Sequence, residues 1–279
     1  MTTSSDRPTL AQTLQRLQAQ GLDRLDAQLL LLLVLQQAPH QRAWLLTHDT
    51  DLLGSAAQQQ LDALVARRLQ GEPLAYLSGH KEFYGLDLLV DARVLVPRPD
   101  TETLVDWALA VLQPGDSVLD LGTGSGAIAL ALKATHASLL VSAVDYSHEA
   151  LAVAAANAQR LQLAVAFQQG SWLNGVQGQF HAIVSNPPYI AAQDEHLAAL
   201  THEPLQALAS GADGLDDLRL IIEQAPAHLL PGGWLLLEHG YDQAPAVREA
   251  LHAAGFAKVQ SRCDLSGIER CSGGQWTPP

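Results

Sequence analysis

Cysteine is nearly missing: the 279 residues hold only Cys263 and Cys271, and the two are not spaced as a metal-binding pair. The eleven histidines form no H-E-x-x-H and no Cys/His framework, so no metal centre is expected and a reducing cytosol fits the chain. Basic charge is equally scarce. Sixteen Lys and Arg stand against 29 Asp and Glu, for a formal net charge of −13 with no basic run. Neutralised phosphates supply most non-specific affinity for nucleic acid, so this composition argues against a duplex as the main partner. Long apolar runs are missing too. The longest, Leu29 to Leu35, is far too short to cross a bilayer, and the opening M-T-T-S-S-D-R-P-T-L has no apolar signal region. The expectation is a cytoplasmic protein without a membrane partner, and no internal repeat or low-complexity tail is visible. What the chain does have is a 48% hydrophobic composition, ample for the core of one large domain or two.

Leucine, alanine and glutamine at helical spacing fill Thr9 to Leu69, as in Leu10, Leu14 and Leu17 or Leu61, Leu64 and Val65, with breaks at Gly21, Ala38-Pro39 and Gly54. The reading is a small helical bundle over residues 1–72, in which the Leu29–Leu35 run is one buried helix. From Gly71 to Asp100 strand-like alternation with glycine breaks predicts a β-hairpin linker over 73–100. Beyond it helix and strand patterns take turns. A helix from Thr101 capped by Asp100 precedes strands near 117–121, 139–145, 163–168, 180–185, 233–239 and 257–263. This alternation over 101–279 predicts an α/β doubly wound sheet.

The first of those strands runs into V-L-D-L-G-T-G-S-G-A-I-A-L-A-L, Val118 to Leu132. Gly122, Gly124 and Gly126 follow a strand and open a helix, which lets a ligand approach the backbone at the positive helix end. A tight turn without any ligand would use the same glycines. The spacing is G-x-G-x-G rather than the dinucleotide G-x-G-x-x-G, and no Gly-Lys-Ser/Thr follows to hold a triphosphate. Nineteen residues after Gly126 the second strand ends in Asp145. A carboxylate there can accept both ribose hydroxyls of an adenosyl ligand, and it can also cap the helix that follows.

The fourth strand ends in V-S-N-P-P-Y-I, Val184 to Ile190. Pro187 and Pro188 have no backbone N–H and a φ locked at roughly −65°, and Pro188 pushes Pro187 into an extended conformation. The result is a rigid row of acceptors: the Asn186 side-chain carbonyl and the main-chain carbonyls of 186 and 187, with the flat ring of Tyr189 beside them. Such a site suits a planar –NH2 group, although an ordinary turn at a strand end would read the same in isolation. The glycine loop, Asp145 and N-P-P-Y all follow parallel strands, so they converge on one cleft.

With these motifs the sequence resembles the class I S-adenosylmethionine-dependent methyltransferases, and among them the N-P-P-Y enzymes that methylate planar amino or amide nitrogens. It is most similar to the protein-glutamine N5-methyltransferases that modify peptide chain release factors. Supporting blocks run through nearly the whole chain: G-E-P-L-A-Y-L-S-G (71–79), F-Y-G-L (83–86), V-L-V-P-R-P-D-T-E (94–102), E-P-L-Q-A-L (203–208), G-A-D-G-L (211–215), P-G-G-W-L-L-L-E-H-G (231–240) and D-L-S-G-I-E-R (264–270). The resemblance implies S-adenosylmethionine as cofactor, with Gly122, Thr123, Gly124, Ser125 and Gly126 along its methionine and ribose, Asp145 on the ribose and Trp172 beside the adenine. Without the resemblance, Trp172 would read equally well as packing. It implies further that Asn186, Pro187, Pro188 and Tyr189 hold the substrate glutamine, with Asn186 also touching the cofactor, and that class I release factors are the protein substrate. The helical bundle would dock that substrate.

An amide nitrogen is a poor nucleophile because its lone pair is delocalised into the carbonyl. Accepting its two N–H bonds at Asn186 Oδ1 and the Pro187 carbonyl returns electron density to nitrogen and aims it, an orientation effect worth on the order of 7–11 kcal/mol in favourable cases. No general base is assigned. Glu238 and His239 end the fifth strand, where a salt-bridged or capping role suits them as well. Two other substrates fit the same cradle: an exocyclic amino group of adenine or cytosine, against which the acidic balance argues, and a ribosomal-protein glutamine, against which P-R-P-D-T-E argues. The tail holds Gly273-Gly274-Gln275, the tripeptide in which the family's substrate glutamine sits; a place in or just after the last strand would keep it from the cleft.

Overall fold

A computed structural model describes residues 7–278 and divides the chain into two compact units, Met1–Gly79 and His80–Pro279. In the first, helices α1 (Leu10–Ala19), α2 (Arg24–Val34), α3 (Arg42–Thr47) and α4 (Ser55–Leu69) lie between the predicted breaks. Sequence chemistry sets their ends. Thr9 and Gln12 form a reciprocal capping box on α1, and Asp23 caps α2 by accepting from Asp26 N. Leu10, Leu17, Leu30, Leu31 and Leu61 are fully buried together, with the Leu29–Leu35 run at the centre of that core.

Helix α5 (Leu74–Ser78) occupies residues that the alternation reads as hairpin. Pro73 precedes it and Gly79 ends it at φ 75°, the usual proline-start and glycine-stop pairing. Over five residues an apolar-polar alternation does not separate helix from strand. The hairpin itself is β1 (His80–Phe83) and β2 (Leu86–Leu89), and it belongs to the second unit, where Phe83 and Leu88 are buried in the core.

That core lies on both faces of a seven-stranded sheet of order β5-β4-β3-β6-β7-β9-β8. The strands are β3 (Ser117–Leu121), β4 (Leu140–Asp145), β5 (Ala166–Gln169), β6 (Phe180–Ser185), β7 (Leu229–Glu238), β8 (Phe256–Cys263) and β9 (Glu269–Trp276). Because strand side chains alternate, Val118, Val184 and Leu236 join one cluster with α6 (Glu102–Val111) and α7 (Ala127–Thr135). Leu119, Ile183 and Leu235 join the other, with α9 (Asp216–His228) and α10 (Ala244–Ala253). Helix α8 (His148–Leu161) adds Ala158 to the first. Both faces are covered, so the strands read as nearly continuous apolar runs. The doubly wound α/β expectation holds, with β9 inserted antiparallel to β7 and β8.

Gly273-Gly274-Gln275 lies within β9, where Gly273 pairs with Leu236 and Gln275 with Trp234. A Cβ on Gly273 would stand 2.5 Å from the Leu235 carbonyl oxygen, and one on Gly274 would stand 2.8 Å from Phe256 Cβ. Close strand packing therefore requires these glycines. Gln275 Nε2 donates to the Gly232 carbonyl at 2.8 Å, well before the end of β7.

Candidate functional site

Strand order reverses between β3 and β6, since β4 and β5 extend one way from β3 and β7 extends the other way from β6. Open α/β sheets bind ligands at such a switch point, outside the carboxyl ends of the strands. The glycine loop leaves β3 there and N-P-P-Y leaves β6, its paired neighbour. Gly122, Gly124 and Gly126 take φ of 69°, 55° and 84°, a region that side-chain-bearing residues avoid. A Cβ on Gly122 would press on the Trp172 ring at 3.2 Å. Thr123, Ser125 and Gly126 turn the other way and are buried. The Thr123 hydroxyl donates to Asp120, the Ser125 carbonyl accepts from Asn157 Nδ2, and Gly126 packs near Leu130 and Ala154.

Asp145 closes the loop from the next strand. Its Oδ2 accepts from Gly124 N and its Oδ1 from Ser147 N, both at 2.8 Å. Capping of α8 falls to Ser147, whose side chain accepts from Ala150 N, so Asp145 is not the helix cap. Burial pushes the Asp145 carboxyl above the usual aspartate range, against the pull of these backbone donors. Trp172 is held in place by donating its indole N–H to Asp217 Oδ1 at 2.9 Å.

Gly122, Gly124, Asp145, Trp172, Asn186 and Pro188 line a cavity of about 260 Å³. A second, of about 90 Å³, is lined by Asn186, Pro187 and Tyr189 with Arg98 and Leu200. Asn186, Leu95 and Ala207 belong to both, so Asn186 stands on the boundary between them. Its Nδ2 donates to Thr101 Oγ1 at 3.2 Å, leaving Oδ1 as the free acceptor. The main-chain carbonyls of Asn186 and Pro187 accept no hydrogen bond from any described residue. Tyr189 is fixed at both ends. Gln243 Nε2 donates to its carbonyl at 2.9 Å, and its hydroxyl donates to Glu238 Oε1 at 3.4 Å.

Glu238 and His239 have separate surroundings. Glu238 is buried with its Oε1 at the Tyr189 hydroxyl and its Oε2 without a partner, and burial pushes its carboxyl up to about 7. His239 is buried with its ring nitrogens at the Gly240 carbonyl and the Ser272 hydroxyl, and burial pushes it below the usual histidine value. Asp100 does not cap α6. It sits in a short 3-10 turn (Pro99–Thr101) and pairs with Arg270 Nε at 3.4 Å.

Local pattern reading assigned no role to Glu203, which clips two cavity walls together. Its buried carboxylate accepts from Arg98 at 2.6 Å and from Val96 N at 3.1 Å, tying the loop of Val94 and Leu95 to that of Pro204 and Ala207. The signal was present as the blocks V-L-V-P-R-P-D and E-P-L, but 105 residues separate Arg98 from Glu203. Gly214 of G-A-D-G-L is similar: a side chain there would collide with the Tyr189 carbonyl. Among the described residues no cluster of His, Cys, Asp and Glu could hold a metal ion, and no helix is long and apolar enough to cross a membrane.

Known proteins resemble this chain in sequence and in fold. Residues 101–253 match the family described as methyltransferase small domain, and residues 9–79 match the PrmC N-terminal domain. The chain is 50% identical over 260 residues to the release factor glutamine methyltransferase of Bordetella pertussis, covering 91% of this chain and 95% of that one. To the protein of the same name from Burkholderia pseudomallei it is 44% identical over 284 residues, covering 98% and 99%. A solved methyltransferase from Pyrococcus furiosus shares the fold at a TM-score of 0.56 and 22% identity, over 76% of this chain and 98% of its own. Since the likeness covers 91% of this chain in the first case and 98% in the second, this chain belongs to the release factor glutamine methyltransferase family.

Proposed function

We propose that this protein transfers a methyl group from S-adenosylmethionine to the side-chain amide nitrogen of the glutamine in the Gly-Gly-Gln motif of class I release factors. The observation that carries the reading is the pair of cavities sharing Asn186. The larger has the groups an adenosyl ligand needs: a carboxylate at Asp145 to accept from ribose hydroxyls, an indole face at Trp172 and a loop whose Gly122 and Gly124 allow close approach. S-adenosylmethionine supplies an electrophilic methyl group on a positively charged sulfonium.

In the smaller cavity Asn186 Oδ1 and the Pro187 carbonyl accept the two hydrogens of a carboxamide, and the Tyr189 ring holds its plane. Proline at 187 and 188 removes competing N–H donors and fixes the acceptors in advance, so little ordering is left to binding. Incubating the protein with methyl-labelled S-adenosylmethionine and, separately, release factor, ribosomal protein and DNA tests the reading. Label is expected on the release factor glutamine; label on DNA alone would sink it.

Asp145→Ala is expected to weaken cofactor binding by ~1.5–3 kcal/mol, the worth of charge-assisted hydrogen bonds. Part of that loss comes from the Gly124 and Ser147 amides that lose their acceptor, so Asp145→Asn, which keeps one acceptor oxygen, should lose less. Calorimetric titration measures both, and an unchanged Kd would reduce Asp145 to a support for the loop.

The helical unit serves substrate docking in this reading, because every cofactor-side residue lies in the second unit. A chain beginning at His80 is expected to bind S-adenosylmethionine normally but to raise KM for intact release factor about tenfold or more, equivalent to ~1.4 kcal/mol. Undiminished activity on the whole release factor would make the bundle structural only.

A further inference from the structure

Gln243 belongs to none of the motifs that build the cleft, yet its side chain joins three separate loops around N-P-P-Y. It stands immediately before α10, where its main-chain carbonyl accepts from Val247 N at 3.0 Å and ties it to that helix. Both ends of its carboxamide are engaged. Oε1 accepts from Gly240 N at 2.8 Å, on the loop that follows β7. Nε2 donates to the Tyr189 carbonyl at 2.9 Å, on the loop that follows β6, and to the Asp213 carbonyl at 3.4 Å, in G-A-D-G-L. An N–H on one side and two carbonyls on the other leave the amide a single orientation.

The Tyr189 carbonyl is held between Gln243 and Gly214. Gly214 has φ 76°, and a Cβ there would collide with the Tyr189 oxygen and stand 2.7 Å from Gln243 Nε2, so only a residue without a side chain lets that bond form. Beyond Tyr189, Ile190 N donates to the Leu208 carbonyl and the Ile190 carbonyl accepts from Ser210 N, both at 2.9 Å. Before it, Pro187 and Pro188 are buried and have a fixed φ. Few rotations therefore remain between the Tyr189 carbonyl and Asn186. A shift at Tyr189 is passed on to Asn186 Oδ1 and the Pro187 carbonyl instead of being absorbed on the way.

We infer that Gln243 is a positioning residue of the smaller cavity: by holding the Tyr189 carbonyl it sets where Asn186, Pro187 and Tyr189 stand relative to the methyl donor. This deepens the function proposed above and rests on it. Gln243 lines neither cavity, so it acts through the loop and touches no reacting atom. The reacting nitrogen and methyl group must meet in line, and a misplacement of about 1 Å can cost 10²-fold in rate. Asp145 and Trp172 are held by other partners, Gly124, Ser147 and Asp217, so the cofactor side does not depend on Gln243.

Q243E tests this with little change of shape. It keeps the acceptor for Gly240 N and puts an oxygen where the donor to the Tyr189 and Asp213 carbonyls was. Full-length parent, Q243E, G214A and the double variant are compared for kcat and KM on release factor, with S-adenosylmethionine affinity by calorimetry and backbone amide exchange in cofactor-free protein. Q243E is expected to lose about 30–100-fold in kcat, the scale of a misplaced reacting group, with KM and cofactor Kd within about threefold. G214A crowds the same carbonyl and should lose kcat as well; because both changes act on one atom, the double variant should lose less than the product of the two. The Ile190 and Ser210 amides should exchange about tenfold faster or more in Q243E, while the Gly240 amide keeps its protection. Parental kcat or parental Ile190 exchange in Q243E, losses that multiply in the double variant, or equal losses of kcat and cofactor affinity would overturn the positioning role. A parent that leaves release factor unmethylated would count against the proposed function instead, and exchange at Ile190 and Gly240 would still decide whether Gln243 holds the loop.

Discussion

Asn186→Ala is expected to lower turnover on the order of 10²–10³-fold, the usual cost of removing one preorganised polar group from a reacting centre. Cofactor affinity should stay within a few-fold. The larger cavity keeps Asp145, Trp172 and the glycine loop, none of which hydrogen-bonds Asn186. In the smaller cavity the substrate nitrogen keeps the Pro187 carbonyl and loses Oδ1, so one of its N–H bonds is left without an acceptor. Substrate KM is expected to move less than kcat, because the acceptor matters most as charge builds on nitrogen in the transition state. Side-by-side turnover and equilibrium binding check the result; a variant with near-parental kcat would remove Asn186 from the chemistry.

Asp120→Asn is expected to change the pH dependence of stability. Asp120 is fully buried behind the glycine loop; its Oδ2 accepts from the Thr123 hydroxyl and from Ala129 N, and its Oδ1 has no partner. Burial pushes its carboxyl up to about 7, despite those two donors, and the Asp145 charge adds to the shift. A folded-state value above the unfolded one means the contribution to stability is full below the ordinary aspartate range and is lost as pH rises through about 7. Asparagine carries no charge at any pH, so its stability relative to the parent should improve by ~3–4 kcal/mol between pH 4 and pH 8. The sign at a single pH is less informative, because a buried asparagine N–H group without an acceptor costs about 1–3 kcal/mol by itself. Urea unfolding of the cofactor-free proteins at both pH values measures the swing, and parallel pH profiles would show that Asp120 is ionised throughout.

Local chemistry determined a good deal of this protein from its sequence. The bundle helices stop where Gly21, Ala38-Pro39 and Gly54 predict, because turns and caps depend on neighbouring residues alone. The strands before the glycine loop, Asp145 and N-P-P-Y were legible for the same reason, since a sheet covered on both faces demands short apolar runs ended by turn residues. From these the doubly wound fold and the convergence of three motifs on one edge followed. The short α5 did not, because five alternating residues satisfy either period, and neither did the antiparallel insertion of β9 between β7 and β8.

Only the tertiary structure decided which residues of the motifs line the cavities. Of the five loop residues, Gly122 and Gly124 line the cavity while Thr123, Ser125 and Gly126 turn inward. Ser147 rather than Asp145 caps α8, and Asp145 instead holds the glycine loop through Gly124 N. The clip of Glu203 on Arg98 and the approach of Glu238 and Thr101 to the N-P-P-Y loop join residues far apart in the chain. Periodicity reports which face a residue takes on its own element, and spacing reports what its near neighbours can do. Contacts across the sheet edge depend on how separate loops fold back over it, and burial of a carboxyl such as Asp120 or Glu238, with the shift in its proton affinity, exists only once those loops are in place.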